Sequence, residues 1–145
     1  MSNREVVAKP VKMRRTAYPI AIVLVVVFAA VGTMLRSTPT GVVFSVSDQV
    51  AMGLLGVLLA AGALLLTRPR LRADAEGLEV RNIIGTTRVP WNLVEGVSFP
   101  DGAPWARIEL PDDEYVPIMA IQATDGQHAV VAMRELRELR RSIEV

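Results

Sequence analysis

The chain has no cysteine, one histidine, and few aromatic residues: two tryptophans, two tyrosines and three phenylalanines in 145 residues. Without thiols there is neither a disulfide framework nor a thiolate nucleophile. A zinc site takes three or four protein ligands, so the lone His128 reads as a structural residue in the first turn of a terminal helix. There is no glycine-rich phosphate loop, no nucleophile elbow and no evident acid–base pair. Asp112-Asp113-Glu114 is the one dense carboxylate run. Hard cations draw ligands from a shaped loop, so these three residues read as a solvated turn. The expectation is a protein without catalytic residues, metal or cofactor.

Charge is missing from two long stretches. Ala17 to Leu35 carries none over 19 residues, and Val50 to Leu66 none over 17. A helix needs about 20 mostly apolar residues to cross the hydrocarbon core of a bilayer, within a range of about 17 to 25. The residues from Arg68 onward are too few to cover two helices that are apolar all round, so buried soluble helices are the weaker reading. The spans are placed at about 17–35 and 49–67, joined by a loop at 36–48. The first run also has the basic flank of a signal peptide, Lys9, Lys12, Arg14 and Arg15, but its apolar region exceeds the usual 7–15 residues. Neither span holds an Asp, Glu, Lys, Arg or His, which argues against an ion or proton path.

Lys and Arg distribute unevenly about the spans. Arg4, Lys9, Lys12, Arg14 and Arg15 precede the first, and Arg68, Arg70 and Arg72 follow the second. The loop between offers only Arg36, offset by Asp48. The positive-inside rule then puts both termini in the cytoplasm of a multi-pass inner-membrane protein. Residues 1–16 read as a disordered basic arm held near an anionic leaflet. Residues 68–145 carry ten basic and thirteen acidic residues, so nucleic acid is an unsuitable partner. In the second span Gly53, Gly56 and Ala60 lie near one helical face, and Gly56-xxx-Ala60 would let another helix approach closely. The first span is the natural neighbour, with a partner's helix the alternative.

After Pro69 the pattern shifts to short strands and turns. Leu71–Ala73 starts one strand before the turn Asp74-Ala75-Glu76-Gly77. Leu78 and Val80 alternate with Glu79 and Arg81, and Thr86–Val89 returns. A Pro90-Trp91 corner leads into a strand read over Leu93–Phe99. Ala106, Ile108 and Leu110 alternate with Arg107 and Glu109, and Tyr115–Ile121 forms the last strand, its Pro117 favouring an edge. The period then becomes helical. Thr124 with Gln127 fits a capping box, and Ala132, Leu136, Leu139 and Ile143 form one stripe. Arg134–Glu138 and Glu138–Arg141 have the spacing of helix ion pairs. This predicts six or seven strands in a small barrel or sandwich, with an amphipathic helix closing its core.

Gly77-Leu78-Glu79-Val80-Arg81-Asn82, Thr87-Arg88-Val89-Pro90-Trp91, Val94-Glu95-Gly96-Val97, Pro104-Trp105-Ala106-Arg107 and Tyr115-Val116-Pro117 resemble a bacterial pleckstrin-homology-like (PH-like) domain. The whole chain resembles small actinobacterial PH domain-containing membrane proteins of the low-molecular-weight antigen type, which also place two spans before the domain. The resemblance implies the fold: a transmembrane helical hairpin followed by a mainly-β PH-like domain. It does not carry over an inositol phosphate site, because the first strand-turn-strand here has the acidic turn Asp74–Gly77, where an anion site needs clustered cations or free N–H groups.

The expected role is a non-catalytic adaptor or accessory subunit of an inner-membrane or cell-envelope complex, bound to another membrane protein. The alternative is an anionic-lipid sensor that uses Arg68, Arg70 and Arg72. Trp91, between Val89 and Leu93, is expected to supply core mass. An exposed Trp105 would instead anchor a protein partner.

Overall fold

The structure is a computed structural model that describes residues 4–39 and 41–144. The chain divides into two compact units: residues 13–67, and the described residues up to Lys12 together with those from Arg68 onward.

Two helices make up the first unit. α1 runs Val11–Ser37, its first two residues belonging to the second unit, and α2 runs Val46–Leu65. Both are long and apolar enough to cross a membrane. Their side chains point outward: Val23, Val26, Leu54 and Leu58 are each more than half exposed. α1 begins six residues before the expected span, because a helix tolerates Lys12, Arg14 and Arg15 where a hydrocarbon core does not. α2 begins at a capping box absent from the sequence reading. The Ser45 hydroxyl accepts from the Asp48 amide at 3.3 Å, while the Ser45 amide donates to the Asp48 carboxylate at 2.9 Å.

Gly56 and Ala60 are the buried residues of α2. A Cβ on Gly56 would lie 2.6 Å from the Phe28 Cβ and 3.4 Å from the Leu24 carbonyl oxygen, so α1 passes Gly56 at backbone range. Gly53 has no heavy atom within 4 Å of the corresponding point and lies off this seam.

The second unit holds two antiparallel sheets and a helix. β1 (Val6–Ala8), β2 (Arg70–Ala73), β3 (Gly77–Arg81) and β4 (Thr86–Pro90) pair in that order. β5 (Gly96–Ser98), β6 (Trp105–Glu109) and β7 (Tyr115–Gln122) form the second sheet, with β7 at an edge. α3 spans Gln127–Ile143.

β1 corrects the expectation of a disordered arm. Val6 pairs with Ala73 and Ala8 with Leu71, so the N-terminal segment extends the first sheet by one strand. Val6 and Ala8 are buried and Val7 is exposed, the two-residue alternation of a half-covered strand. The expected strand over Leu93–Phe99 is also different. Trp91–Leu93 forms one 3-10 turn and pairing begins only at Gly96.

Leu71, Leu78, Val80, Ile108, Ile118, Ile121 and Leu136 are fully buried between the sheets and α3. α3 contributes Ala129, Met133, Leu136 and Leu139 to the core, with Ala132 and Ile143 packed at its margin. Gly77 opens β3 because a Cβ there would fall on the Val89 carbonyl oxygen of the paired strand. The expected capping box is absent: Thr124 lies exposed in the 3-10 turn Ala123–Asp125, and Gly126, at φ 55°, stands at the N-cap without a side-chain bond.

Candidate interaction surfaces

Three side chains that hydrogen-bond to backbone position the loops of the second unit. The Asp74 carboxylate accepts from the Glu76 amide at 2.9 Å and the Gly77 amide at 3.2 Å, which locks the acidic turn before β3. The Trp91 indole N–H donates to the Asp74 carbonyl at 2.7 Å, and its ring packs against the core margin. Trp91 therefore joins the Pro-Trp corner to that turn. Asn82, just past β3, donates from its amide nitrogen to the Pro117 carbonyl at 2.9 Å and accepts from the Met119 amide at 3.2 Å. One carboxamide thus satisfies two backbone groups of β7, the pairing a neighbouring strand would make.

Asp125 is the buried acid of the domain, 6% exposed. Its two oxygens accept the backbone amides of Val11 at 3.1 Å and Lys12 at 2.9 Å. These are orphan donors at the start of α1, and a carboxylate beside them also opposes the positive end of the helix dipole. The cap comes from a distant part of the chain, so no local signal announces it.

The outer face of the first sheet collects arginines. Arg70 stands opposite Arg81 in register, and Arg72 opposite Glu79, which faces Arg88. Arg72 Nε donates to the Glu5 carboxylate at 2.7 Å, and this contact holds its guanidinium more firmly protonated than usual. Arg88 pairs with Glu76 at 2.9 Å. Arg81 donates to the Arg68 carbonyl at 3.0 Å, while the buried Nε of Arg70 has no partner among the described residues. Of the three arginines singled out in sequence, Arg68 and Arg72 are exposed and Arg70 is half-buried.

The outer face of the second sheet holds one linked cluster. The Ser98 hydroxyl and Arg107 Nε both donate to the same oxygen of Glu109, at 2.5 and 2.7 Å, and Arg107 lies 4.9 Å from the Tyr115 ring centroid. Hydrogen bonds from Ser98 and then Arg107 hold the Glu109 carboxyl below its ordinary value. Trp105 starts β6 opposite Gln122, half-buried, where the register slips before Ala106. His128 is exposed on α3, and no metal-binding cluster occurs among the described residues.

A surface not foreseen in sequence runs along α3. A groove of about 660 Å³ is floored by Phe99, Ala129, Val130 and Met133 and rimmed by Arg134, Arg137 and Arg141, with Glu138 the one acid. The ion pairs expected from spacing, Arg134–Glu138 and Glu138–Arg141, are not formed. Among the described residues the salt bridge on α3 is Arg140 to Glu144 at 2.9 Å. Arg140 also donates to the Val94 and Glu95 carbonyls at 3.3 and 3.0 Å, which turns it toward the chain entering β5. Among the described residues the three rim arginines have no carboxylate within ion-pair distance. The signal was present as Val130 and Met133 beside the stripe already read, with arginines three and four residues apart.

Two antiparallel sheets closed by a C-terminal helix define a PH-like domain. Residues 68–139 match the bacterial PH domain family, and the chain belongs to it. It is similar to uncharacterized proteins of Mycobacterium tuberculosis and Mycobacterium bovis, each 50% identical over 135 residues, covering 93% of this chain and 88% of the relative. The actinobacterial resemblance read from the strand and corner residues is therefore correct.

Proposed function

We propose that this protein is a membrane-anchored PH-like accessory protein that holds a partner protein on the cytoplasmic face of the inner membrane, without catalysis of its own. The observation that carries this reading is the α3 groove: an apolar floor with Val130 half exposed, beside three arginines that no carboxylate among the described residues pairs. Exposed apolar surface rimmed by polar residues marks interaction sites on soluble domains. α1 and α2 supply the anchor in this reading, and the excess of Lys and Arg before the uncharged stretch of α1 and after α2 sets both termini inside.

Mild-detergent purification of a tagged full chain after in-cell crosslinking tests the proposal. It predicts a stoichiometric membrane or envelope protein, lost when Val130 is changed to Asp. Recovery of the chain alone would remove the accessory reading. A reporter fused to the C-terminus should report the cytoplasm.

A second reading has its own support. Arg70 and Arg81 stand directly opposite each other in register, and like charges so placed are destabilising. An anionic lipid headgroup between them would relieve that repulsion. The distinguishing measurement is thermal stability of the full chain in nanodiscs. A rise in midpoint on adding anionic lipid, abolished by Arg70→Gln with Arg81→Gln, supports lipid sensing, and no rise excludes it. The full chain is required because β1 belongs to the domain, and a piece starting at Arg70 would lack it.

A further inference from the structure

The groove along α3 has a direction. Its lining starts at Ala123 and Gly126, continues over Ala129, Val130 and Met133, and ends among Arg134, Arg137 and Arg141. From Gly126 to Arg141 is about 22 Å at about 1.5 Å per helical residue, the length of about four helical turns. Val130 is 49% exposed at the middle of the floor, although the neighbouring Ala129 and Met133 are buried in the core. The apolar half therefore continues the core outward rather than standing as an isolated surface side chain.

The charged half is unbalanced. Arg134, Arg137 and Arg141 lie three and four residues apart, so they share one side of the helix and repel one another. Glu138 is the single acid on the rim, and among the described residues none of the four makes a salt bridge within 4.0 Å. Helix interiors on solvated surfaces usually intersperse the two signs; here the nearest intrahelical pair, Arg140–Glu144, faces the β5 side instead. The C-terminal end of a helix disfavours anions through its dipole, by about half a charge, and three full positive charges outweigh that.

An occupant that matches both halves must bring apolar side chains and carboxylates on one rigid element. We infer that the groove takes an acidic amphipathic helix of a partner protein. Its apolar stripe lies over Phe99, Val130 and Met133, and its Asp or Glu side chains meet Arg134, Arg137 and Arg141. This is helix-in-groove docking, in which apolar residues at helical spacing anchor the partner. Carboxylates suit the site because an arginine fork binds them through paired hydrogen bonds. The carboxylates fix the direction in which the helix lies, since only one end of the groove is basic. The inference rests on the accessory reading above and names the chemistry of the partner.

The test uses the full chain in zwitterionic-lipid nanodiscs and a fluorescent 15-residue helical peptide with Leu at every third or fourth position and Glu at the others. A peptide with Lys in place of Glu is the control. The expected result is saturable binding of the Glu peptide, at least tenfold tighter than the Lys peptide. Binding should weaken at least tenfold in the Arg134→Gln, Arg137→Gln, Arg141→Gln triple variant, and also as salt is raised. These arginines are exposed, so the triple variant should keep the wild-type thermal midpoint. Equal binding of the two peptides, or a Glu peptide indifferent to the triple substitution, would overturn the inference.

A photo-crosslinker at Val130 in cells separates this claim from the accessory reading. Crosslinks to an acidic helical segment of one protein support both. Crosslinks to a protein segment without acidic residues overturn the helix chemistry and leave the accessory role standing. Crosslinks confined to lipid, or to a second copy of this chain, overturn both.

Discussion

Asp125 and Lys12 are 113 residues apart in sequence and 2.9 Å apart in the fold, carboxylate to backbone amide. The other oxygen of Asp125 takes the Val11 amide at 3.1 Å. Both donors lie in the first turn of α1 and in the same unit as Asp125, so a turn that follows β7 caps these two amides. Removal of this acid strands two amides at a helix end. Asp125→Ala should cost about 1–2 kcal/mol, the usual range for a lost N-cap in a folded domain. Asp125→Asn keeps one acceptor oxygen and should fall between. Thermal unfolding of the three proteins in nanodiscs checks the order, and an Asn variant as weak as Ala would show that the two bonds are not separable.

Asn82 predicts a different loss. Its carboxamide serves both as donor to Pro117 and as acceptor from Met119 on β7. Asn82→Ala should destabilise by about 1–3 kcal/mol because both backbone groups lose a partner where water access is limited. Asn82→Asp keeps the acceptor for Met119 but sets a charged oxygen against the Pro117 carbonyl, so it should be no better than Ala. Amide exchange at Met119 reads the bond directly, and unchanged protection in Asn82→Ala would refute its role.

What the sequence made legible follows from the range of each signal. α1 and α2 are continuous apolar runs, and strands such as Leu78–Arg81 alternate with period two, so local reading finds them. β1 is three residues long, and its partner strand lies far along the chain, as does Asp125 for the α1 amides. Neither pairing leaves a local trace. The Thr124–Gln127 capping pattern failed because the chain makes a 3-10 turn there and enters α3 through Gly126 at positive φ. The α3 groove is half legible: spacing pairs Arg134 and Arg141 with Glu138, but Glu138 reaches neither within 4.0 Å and Arg140 takes Glu144. Spacing permits a helix pair without requiring one when the pair is solvated and worth only a few tenths of a kcal/mol.

The Ser98–Glu109–Arg107 cluster makes a pH prediction. Hydrogen bonds from Ser98 and Arg107 hold the Glu109 carboxyl below its ordinary value of 4.5. A carboxyl lowered on folding stabilises the native state above its unfolded value, and that contribution fades as pH falls through the lowered folded value. The gap in thermal midpoint between wild type and Glu109→Gln should therefore be widest at neutral pH and close as pH drops below about 4.5. Ser98→Ala raises the folded value, so the gap should be smaller at neutral pH and its closure complete at a higher pH. A gap independent of pH would show that the carboxylate charge contributes nothing.

The absence of cysteine allows a clean test of the helix seam. A Cβ on Gly32 would lie 3.7 Å from the Met52 Cβ, within the separation of about 3.5–4.5 Å that a disulfide needs. Gly32→Cys with Met52→Cys should therefore oxidise readily and intramolecularly in the full chain, with no native thiol to compete. Gly56 sets the approach that makes this possible, since its missing side chain leaves room for Phe28. Adding Gly56→Leu to the cysteine pair places a branched side chain where even a Cβ would stand 2.6 Å from the Phe28 Cβ. The helices must then separate or rotate, and the yield of the intramolecular disulfide should fall several-fold in the same time. Gly53→Leu, where no atom lies within 4 Å, is the matched control and should leave the yield unchanged. Loss of the disulfide in both variants would mean that bulk anywhere on α2 disturbs the hairpin, whereas loss in Gly56→Leu alone assigns the close approach to that one glycine.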